Sequence, residues 1–185
     1  YTQGHSSIVS FYSINLAKRL NFKDINLLKN AALLHDIGKI IIDKEVLNKK
    51  RKLTDKEYEY IKTHVNISQK ILNDKSMKPI ANIILYHHKL LDGSGYPKNL
   101  NSKNIPKETQ VLTITDIFDA LVTDRPYRKA MSIDKALEIL KDMRKKGQLN
   151  EKYLNEFIKI VPELYKKVNS KTIDEILGEI NKSEG

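Results

Sequence analysis

The sequence contains five histidines, and each lies among apolar residues at helical spacing on one of four predicted helices. A single histidine on an apolar face is more often a satisfied core residue than a ligand. Five neutral imidazoles in one core, however, are hard to satisfy by hydrogen bonding alone, because buried polar groups need partners. A metal cluster removes that cost. The pattern therefore predicts five metal ligands: His5, His35, His64, His87 and His88.

Two aspartates are placed to join the histidines. Asp36 directly follows His35 at the predicted end of a helix, so that one turn offers both an imidazole and a carboxylate. Asp116 interrupts an apolar run, and a buried carboxylate in that setting requires a cation or several donors. On a helix, His87 and His88 would point about 100° apart, so that each can serve a different ion. This donor set suits iron or manganese better than a structural zinc.

A pair of metal ions a few ångströms apart is suited to phosphodiester hydrolysis, because such ions lower the pKa of bound water and clamp the attacking and leaving oxygens. Cations near the substrate phosphates should complete the site. Lys39 lies three residues after Asp36, and Arg125 and Arg128 follow the helix that carries Asp116. Taken singly, each would be an ordinary surface cation; beside a metal cluster, each becomes a candidate phosphate ligand.

Composition excludes several other classes of protein. The 185 residues include 40% hydrophobic and 30% charged residues, which is typical of one globular domain. The chain has no cysteine, so disulfides and thiolate metal sites are excluded. No apolar run approaches the roughly 18 residues of a membrane span. The net charge of +10 comes without an aromatic platform or recognition motif for a nucleic acid polymer. We therefore expect a cytoplasmic domain with no membrane contact and no nucleic acid polymer partner.

Helices must position the candidate ligands, since apolar residues recur at a period of 3.6 and strand signals are essentially absent. Asp24, the pair Thr54 and Glu57, and Pro79 are typical of helix starts. Glycine, proline and asparagine make 92–106 an ordered surface loop. We predict an all-α fold with helices at 5–20, 24–38, 54–72, 79–88, 107–124, 132–146 and 150–160, followed by a charged tail.

Several sequence blocks resemble the HD-GYP family within the HD superfamily of metal phosphohydrolases. They are LHDIGK at 34–39, IKTH at 61–64, HH at 87–88, DGSGYP at 92–97, DIFDAL at 116–121 and DRPYR at 124–128. A bare His-Asp pair is common, but the blocks occur in order over residues 1–160. The resemblance implies an HD-domain helical bundle with a GYP loop and C-terminal helices.

The resemblance also implies an activity: hydrolysis of cyclic di-GMP to linear pGpG, and in some members onward to GMP. It implies two divalent metal ions, Fe or Mn, with Asp36 as the bridging ligand. The ligands carried over are His5, His35, Asp36, His64, His87, His88 and Asp116.

Further roles follow from the same resemblance. Lys39 would lie near the scissile phosphate and act with Asp36 in catalysis, and Tyr96 on the GYP loop would contact the substrate. Arg125 and Arg128 would hold guanine or phosphate. Asp119 is grouped with these substrate-binding residues, as a supporting group behind the ligands.

The sequence departs from the family pattern at a few positions. Some members bind a third metal through a glutamate where this chain has Tyr1, which favours a binuclear site here. Ile8 replaces a frequent arginine, Lys89 replaces a frequent glutamate, and 65–67 replace the start of a Pro-x-x-Gly segment. None of these departures removes a predicted ligand.

We divide the chain into a catalytic domain at 1–160 and a C-terminal helical extension at 161–185, and we expect an upstream sensor or receiver domain. A homodimer is left open. Hydrolysis of cyclic GMP-AMP is one alternative function, and a weakly active cyclic-dinucleotide sensor or scaffold is another, although the intact ligand set argues against a sensor. A general mononucleotidase is disfavoured by the GYP loop with Arg125 and Arg128.

Overall fold

The computed structural model describes residues 2–125 and 128–182, and the side chains of residues 2 and 3 are outside that description. The helices in these ranges are α1 (Thr2–Arg19), α2 (Ile25–Leu34), α3 (Lys44–Leu47), α4 (Asp55–Lys62), α5 (His64–Ile71), α6 (Lys78–Leu85), α7 (Lys107–Val122), α8 (Ile133–Lys145), α9 (Glu151–Ser170) and α10 (Ile173–Asn181). Short 3-10 helices occupy Ile37–Ile41 and Ser102–Asn104. No β-strand forms in the described ranges, which confirms the all-α prediction.

Helix α1 runs through the middle of the bundle and contacts α2, α7, α9 and α10. Tyr12 is completely buried on α1. Its ring packs edge-on against Phe118 of α7, at 5.5 Å between centroids, and against Phe157 of α9, at 6.1 Å. Edge-to-face pairs of this kind stabilise cores beyond their area of burial. This aromatic contact fixes α1 against α7, and those two helices carry His5 and Asp116.

The predicted capping box forms at the start of α4, where Thr54 and Glu57 each accept a hydrogen bond from the other's backbone N–H. The prediction of one helix over 54–72 is wrong, however, because the chain forms α4 and α5 with a break at Thr63. The Thr63 hydroxyl donates to the Tyr60 carbonyl at 2.6 Å, and such bonds compete with the helical ladder. The break places His64 at the first position of α5.

Helices α2 and α6 end earlier than predicted, at Leu34 and Leu85, so that His35, His87 and His88 follow them. The expectation that every histidine lies within a helix is therefore wrong, and so is the 100° divergence of His87 and His88, whose ring centroids lie 3.9 Å apart. The Nδ1 atoms of His35 and His87 bond to backbone carbonyls in the last turn of α2 and α6. These bonds fix the two rings after the helices have ended.

Helix α9 continues to Ser170, beyond the predicted end at 160, and the charged tail forms α10. Helix α10 packs against α1 close to Gly4, where an added Cβ would lie 3.5 Å from Ile173 Cδ1. The division at 160 stays a prediction, and a continuous helix crosses it. In the described part of the chain, no helix is both long and apolar enough to cross a membrane.

Candidate metal centre

The residues predicted as metal ligands meet in one buried cluster at the ends of α1, α2, α5 and α6 and in the middle of α7. Their nitrogen and oxygen atoms form three overlapping groups, and within each group the atoms lie within 4.8 Å of one another. The groups are His5, His35 and Asp36; His35, His87 and Asp116; and His64, His87 and His88. The structure thus brings all of the candidate ligands together, and their coordination of metal stays a prediction.

Three of the histidines are held by backbone carbonyls. In each case the Nδ1 atom bonds to the carbonyl three positions earlier: His35 to Ala32 at 2.7 Å, His64 to Ile61 at 2.7 Å and His87 to Ile84 at 2.6 Å. A carbonyl only accepts, so Nδ1 must carry the proton, and a neutral ring then has a lone pair on Nε2. Within the described residues, all three Nε2 atoms are buried without a hydrogen-bond partner. This is the arrangement of a metal-ligating histidine.

His5 is held by carboxylates instead. Its Nδ1 lies 2.6 Å from Asp119 Oδ2, and its Nε2 lies 3.1 Å from Asp116 Oδ1. Burial lowers the pKa of His5, but hydrogen bonds to Asp116 and Asp119 outweigh burial and raise that pKa to about 9. Carboxylates commonly orient metal-binding histidines from behind in this way. The contact observed for Asp119 is therefore with a candidate ligand, and its grouping with the substrate-binding residues stays a prediction.

Asp36 lies between the two sets of histidines. Its Oδ1 is 3.4 Å from His64 Nε2, and its Oδ2 is 3.5 Å from His35 Nε2. Burial opposes ionisation of Asp36, but the neighbouring His35 and Lys39 hold its pKa well below the usual range. Oδ1 is buried without a hydrogen-bond partner in the described part of the chain. A charged carboxylate that faces histidines with both oxygens suits a bridging metal ligand.

Burial favours the neutral form of three further imidazoles. It lowers the pKa of His64 and His87, and it lowers the pKa of His88 to about 3. Neutral imidazole is the form that coordinates metal. The donor set, which combines these imidazoles with carboxylates and contains no sulfur, fits divalent transition-metal ions.

The loop that follows His88 folds back over it. Gly95 has a φ of +82°, and an added Cβ there would lie 2.1 Å from the His88 carbonyl oxygen, so that only glycine fits. The Tyr96 N–H donates to that same carbonyl at 3.0 Å. As a result, the Tyr96 ring lies 4.7 Å from the His88 ring between centroids. The predicted substrate-contacting tyrosine is thus beside the cluster, and burial raises its pKa, which keeps the hydroxyl protonated.

The predicted cations differ in their positions. Lys39 Nζ lies 2.6 Å from Asp36 Oδ2, at the edge of the cluster. The Arg128 guanidinium donates to the Leu121 carbonyl at 3.1 Å, at the C-terminal end of α7. Arg125 pairs through its backbone with Arg128. Substrate binding by both arginines stays a prediction, and the intervening residues of the motif, Pro126 and Tyr127, lie outside the described residues.

Two kinds of contributor were missed from the sequence. The carbonyls of Ala32, Ile61 and Ile84 orient histidines, and their common offset of three residues is the one signal that could have identified them. Lys62 belongs to the IKTH block at 61–64 and has no predicted role of its own. Its Nζ lies 5.5 Å from the centroid of the Tyr96 ring. The helical spacing of Tyr58 and Lys62 on α4 would have placed these two residues on one face.

The chain is similar to known proteins along most of its length. A family model described as HD domain matches residues 2–152. The chain is 42% identical over 145 residues to the 3'3'-cGAMP-specific phosphodiesterase 3 of Vibrio cholerae, which covers 77% of this chain and 32% of that protein. It is 40% identical over 124 residues to the cyclic di-GMP phosphodiesterase response regulator RpfG of Xanthomonas campestris, which covers 65% and 33%. The chain spans about a third of the length of these curated relatives.

A solved structure shares the fold. Bd1817, an HDG"Y"P protein from Bdellovibrio bacteriovorus, superposes with a TM-score of 0.71 at 23% identity, over 88% of this chain and 53% of that one. This likeness confirms the predicted HD-type helical bundle. The family match extends over every residue of the buried cluster. The chain belongs to the HD domain family.

Proposed function

We propose that this protein is a metal-dependent phosphodiesterase that hydrolyses cyclic di-GMP to pGpG, with GMP as the product of a second cleavage. One observation carries the proposal. Five buried side-chain atoms have no hydrogen-bond partner in the described part of the chain, and four of them belong to the same cluster: His35 Nε2, Asp36 Oδ1, His64 Nε2 and His87 Nε2. The fifth is the Tyr12 hydroxyl in the aromatic core. Such unpaired groups are costly in a core, and divalent cations would satisfy them together.

The proposed site holds two ions, iron or manganese. His5 and His35, which lie 3.1 Å and 3.7 Å from Asp116 Oδ1 through their Nε2 atoms, would hold one ion together with Asp116. His64, His87 and His88 would hold the other. Asp36 would serve both, because its two oxygens face different histidines. The ions would supply Lewis-acid stabilisation of the phosphodiester and would lower the pKa of water at the site.

The side chains around the ions would bind and orient the substrate. We assign Lys39 to the scissile phosphate, since its ammonium group already lies against Asp36 at the edge of the cluster. The Tyr96 ring, held beside His88 by the glycine turn, would cover the substrate and limit access of water. Arg125 and Arg128 are retained as candidate ligands for guanine or the phosphates, beyond the end of α7.

A second candidate substrate is cyclic GMP-AMP. It is favoured by the 42% identity to a phosphodiesterase of Vibrio cholerae that is named as specific for 3'3'-cGAMP. The cluster would cleave either nucleotide in the same way, because both present a phosphodiester to the metal ions. The bases, which lie away from the metal ions, would decide between them.

Regulation and location belong to the same proposal. Because RpfG is named as a response regulator, we infer that a sensor or receiver domain controls this catalytic unit. We also infer a cytoplasmic location, which a chain without cysteine suits. Homodimer formation stays a prediction.

The test is turnover by protein purified without oxygen, with iron and manganese quantified in the same sample. We expect about two metal ions per chain and hydrolysis of cyclic di-GMP, and we expect loss of both after treatment with a chelator. A parallel assay with 3'3'-cyclic GMP-AMP assigns the preferred substrate. Bound metal without hydrolysis of either nucleotide would favour a sensor over an enzyme. A folded protein without transition metal would contradict the proposal.

A further inference from the structure

A lysine lies at the edge of the cluster, on the side of His64 and His88. Lys62 is the last residue of α4, and its Nζ is 4.5 Å from the centroid of the Tyr58 ring and 5.5 Å from that of Tyr96. The Tyr96 ring in turn contacts the His88 ring at 4.7 Å and the His64 ring at 6.3 Å. One tyrosine therefore contacts both this ammonium group and the candidate metal ligands.

The proposed reaction leaves a need for such a cation. A cyclic dinucleotide contains two phosphodiesters, and only one of them can occupy the metal ions at a time. Lys39 is already engaged beside Asp36, where the scissile phosphate would bind. The Arg128 guanidinium donates to the carbonyl of Leu121 at the end of α7. The phosphodiester that is not cleaved keeps its negative charge, and a cation on the Tyr96 side of the cluster can neutralise it.

Lys62 has the properties of that partner. Its side chain is 20% exposed, so that it is partly desolvated by the tyrosines and yet within reach of a ligand. Nζ donates to Glu59 Oε1 at 2.6 Å, but the Glu59 side chain is 67% exposed. Exposed ion pairs of this kind contribute little to stability, so a phosphate can replace the carboxylate at low cost. Cation–π contacts with two rings hold the ammonium group in place.

We propose that Lys62, positioned by Tyr58 and Tyr96, binds the phosphodiester of the cyclic dinucleotide that is not cleaved. Tyr58 is 49% exposed and adds an apolar ring face beside that phosphate. The inference rests on the proposed function, because it names a second phosphate subsite in the same site. It predicts that Lys62 distinguishes ligands with two phosphodiesters from ligands with one.

The test compares two ligands on the metal-loaded protein. Cyclic di-GMP has two guanines and two phosphodiesters, whereas linear GpG has two guanines and a single phosphodiester. We would measure kcat and KM for both, together with dissociation constants from calorimetry with phosphorothioate analogues of each. The variants are Lys62→Met, Lys62→Arg and, as a matched control, Lys56→Met, which removes an exposed lysine from the same helix.

For Lys62→Met we expect KM and the dissociation constant for the cyclic ligand to rise about tenfold or more, while kcat changes less. We expect a much smaller effect with GpG, recovery in Lys62→Arg, and wild-type values in Lys56→Met. Equal losses with both ligands would assign Lys62 a structural role through His64. An unchanged affinity for the cyclic ligand would show that Lys62 does not bind the second phosphodiester. Either result overturns this inference and leaves the proposed function standing. Wild-type protein that binds but does not hydrolyse refutes the proposed enzyme and leaves the binding comparison decisive. Wild-type protein that binds neither ligand overturns both.

Discussion

The two ends of the histidine cluster hold their ligands by different means. At the carboxylate end, His5 lies between Asp116 and Asp119, and these contacts raise its pKa to about 9. At the carbonyl end, the Ile61 and Ile84 carbonyls hold His64 and His87, and the His88 ring lies beside that of His87. Burial lowers the pKa values of these three histidines, to about 3 for His88. The first end therefore depends on charged side chains that mutation can remove. The second depends on backbone carbonyls and exclusion of water, which follow from where the helices end.

Asp36 belongs to both ends, so its replacement should have the largest effect. We expect Asp36→Asn to lose metal from both ends and to reduce kcat about a thousandfold or more, since metal ions supply several kcal/mol of transition-state stabilisation. Metal content by mass spectrometry and turnover of cyclic di-GMP would be measured together. Asp142→Asn, at an exposed position on α8, is the control. His64→Ala should lose metal from the carbonyl end only. An Asp36→Asn protein with full metal content and activity would refute the shared ligand.

Replacement of Asp119 should weaken the carboxylate end alone. Asp119→Asn keeps the shape of the side chain but removes the charge that bonds to His5 Nδ1 at 2.6 Å. Groups that orient a metal ligand typically contribute about ten- to a hundredfold to metal affinity or activity. We expect metal affinity at the carboxylate end to fall by that factor. Metal at the carbonyl end should be retained during dialysis against a weak chelator. If Asp119 binds substrate instead, KM will rise and metal affinity will not change.

The difference between the ends also explains how much of the site could be predicted from the sequence. His5 and Asp116 were identifiable because a polar or charged side chain in an apolar helical stretch needs a partner. Asp36 was identifiable because it follows His35, and Asp119 was identified only through the family resemblance. The carbonyl contacts were not identifiable, since a backbone carbonyl has no residue-specific signal. Every residue of the buried cluster was predicted from the sequence, but the backbone carbonyls that orient three of its five histidines were not.

The same limit applies to the fold. The all-α class and the capped start of α4 followed from periodicity and side-chain chemistry. The end of α6 before His87 and the break at Thr63 did not follow, because apolar periodicity continues through both points. Local side-chain hydrogen bonds to carbonyls override that periodicity, and they do so where a histidine must enter the site.

Glycines near the two ends should respond differently to alanine. At the carbonyl end, Gly95→Ala places a Cβ 2.1 Å from the His88 carbonyl oxygen at a φ of +82°. We expect a loss of about 2 kcal/mol in unfolding free energy and a higher KM, because Tyr96 would move. At the carboxylate end, Gly4→Ala meets only Ile173 at 3.5 Å, an ordinary contact, and should change stability by less than about 1 kcal/mol. Denaturant unfolding with steady-state kinetics measures both, and equal effects would contradict this difference.

The effect furthest from catalysis is a pH dependence of the stability of the metal-free protein, and its sign differs between the ends. Histidines at the carbonyl end stay neutral in the fold, whereas the unfolded chain protonates them below a pKa of about 6.5. Stability should therefore fall from pH 6.5 to pH 5, by about 10 °C in Tm. Asp36 and Asp116 have lowered pKa values, so the stability that their ionised carboxylates contribute does not change between pH 6.5 and pH 5. That stability is lost only below the ordinary aspartate pKa of about 4.

His5 should act in the opposite direction. Its pKa is raised to about 9, so its contribution is complete below about 6.5 and is lost as the pH rises through 9. Scanning calorimetry with a chelator present would separate the two ends: His88→Gln should reduce the acid loss, and His5→Gln should reduce the alkaline loss. If either substitution changed both limbs equally, the cluster would titrate as one unit and the division into two ends would fail. Because bound metal displaces the proton from His5 in the folded state only, the metal-loaded protein should lose stability more steeply as the pH falls.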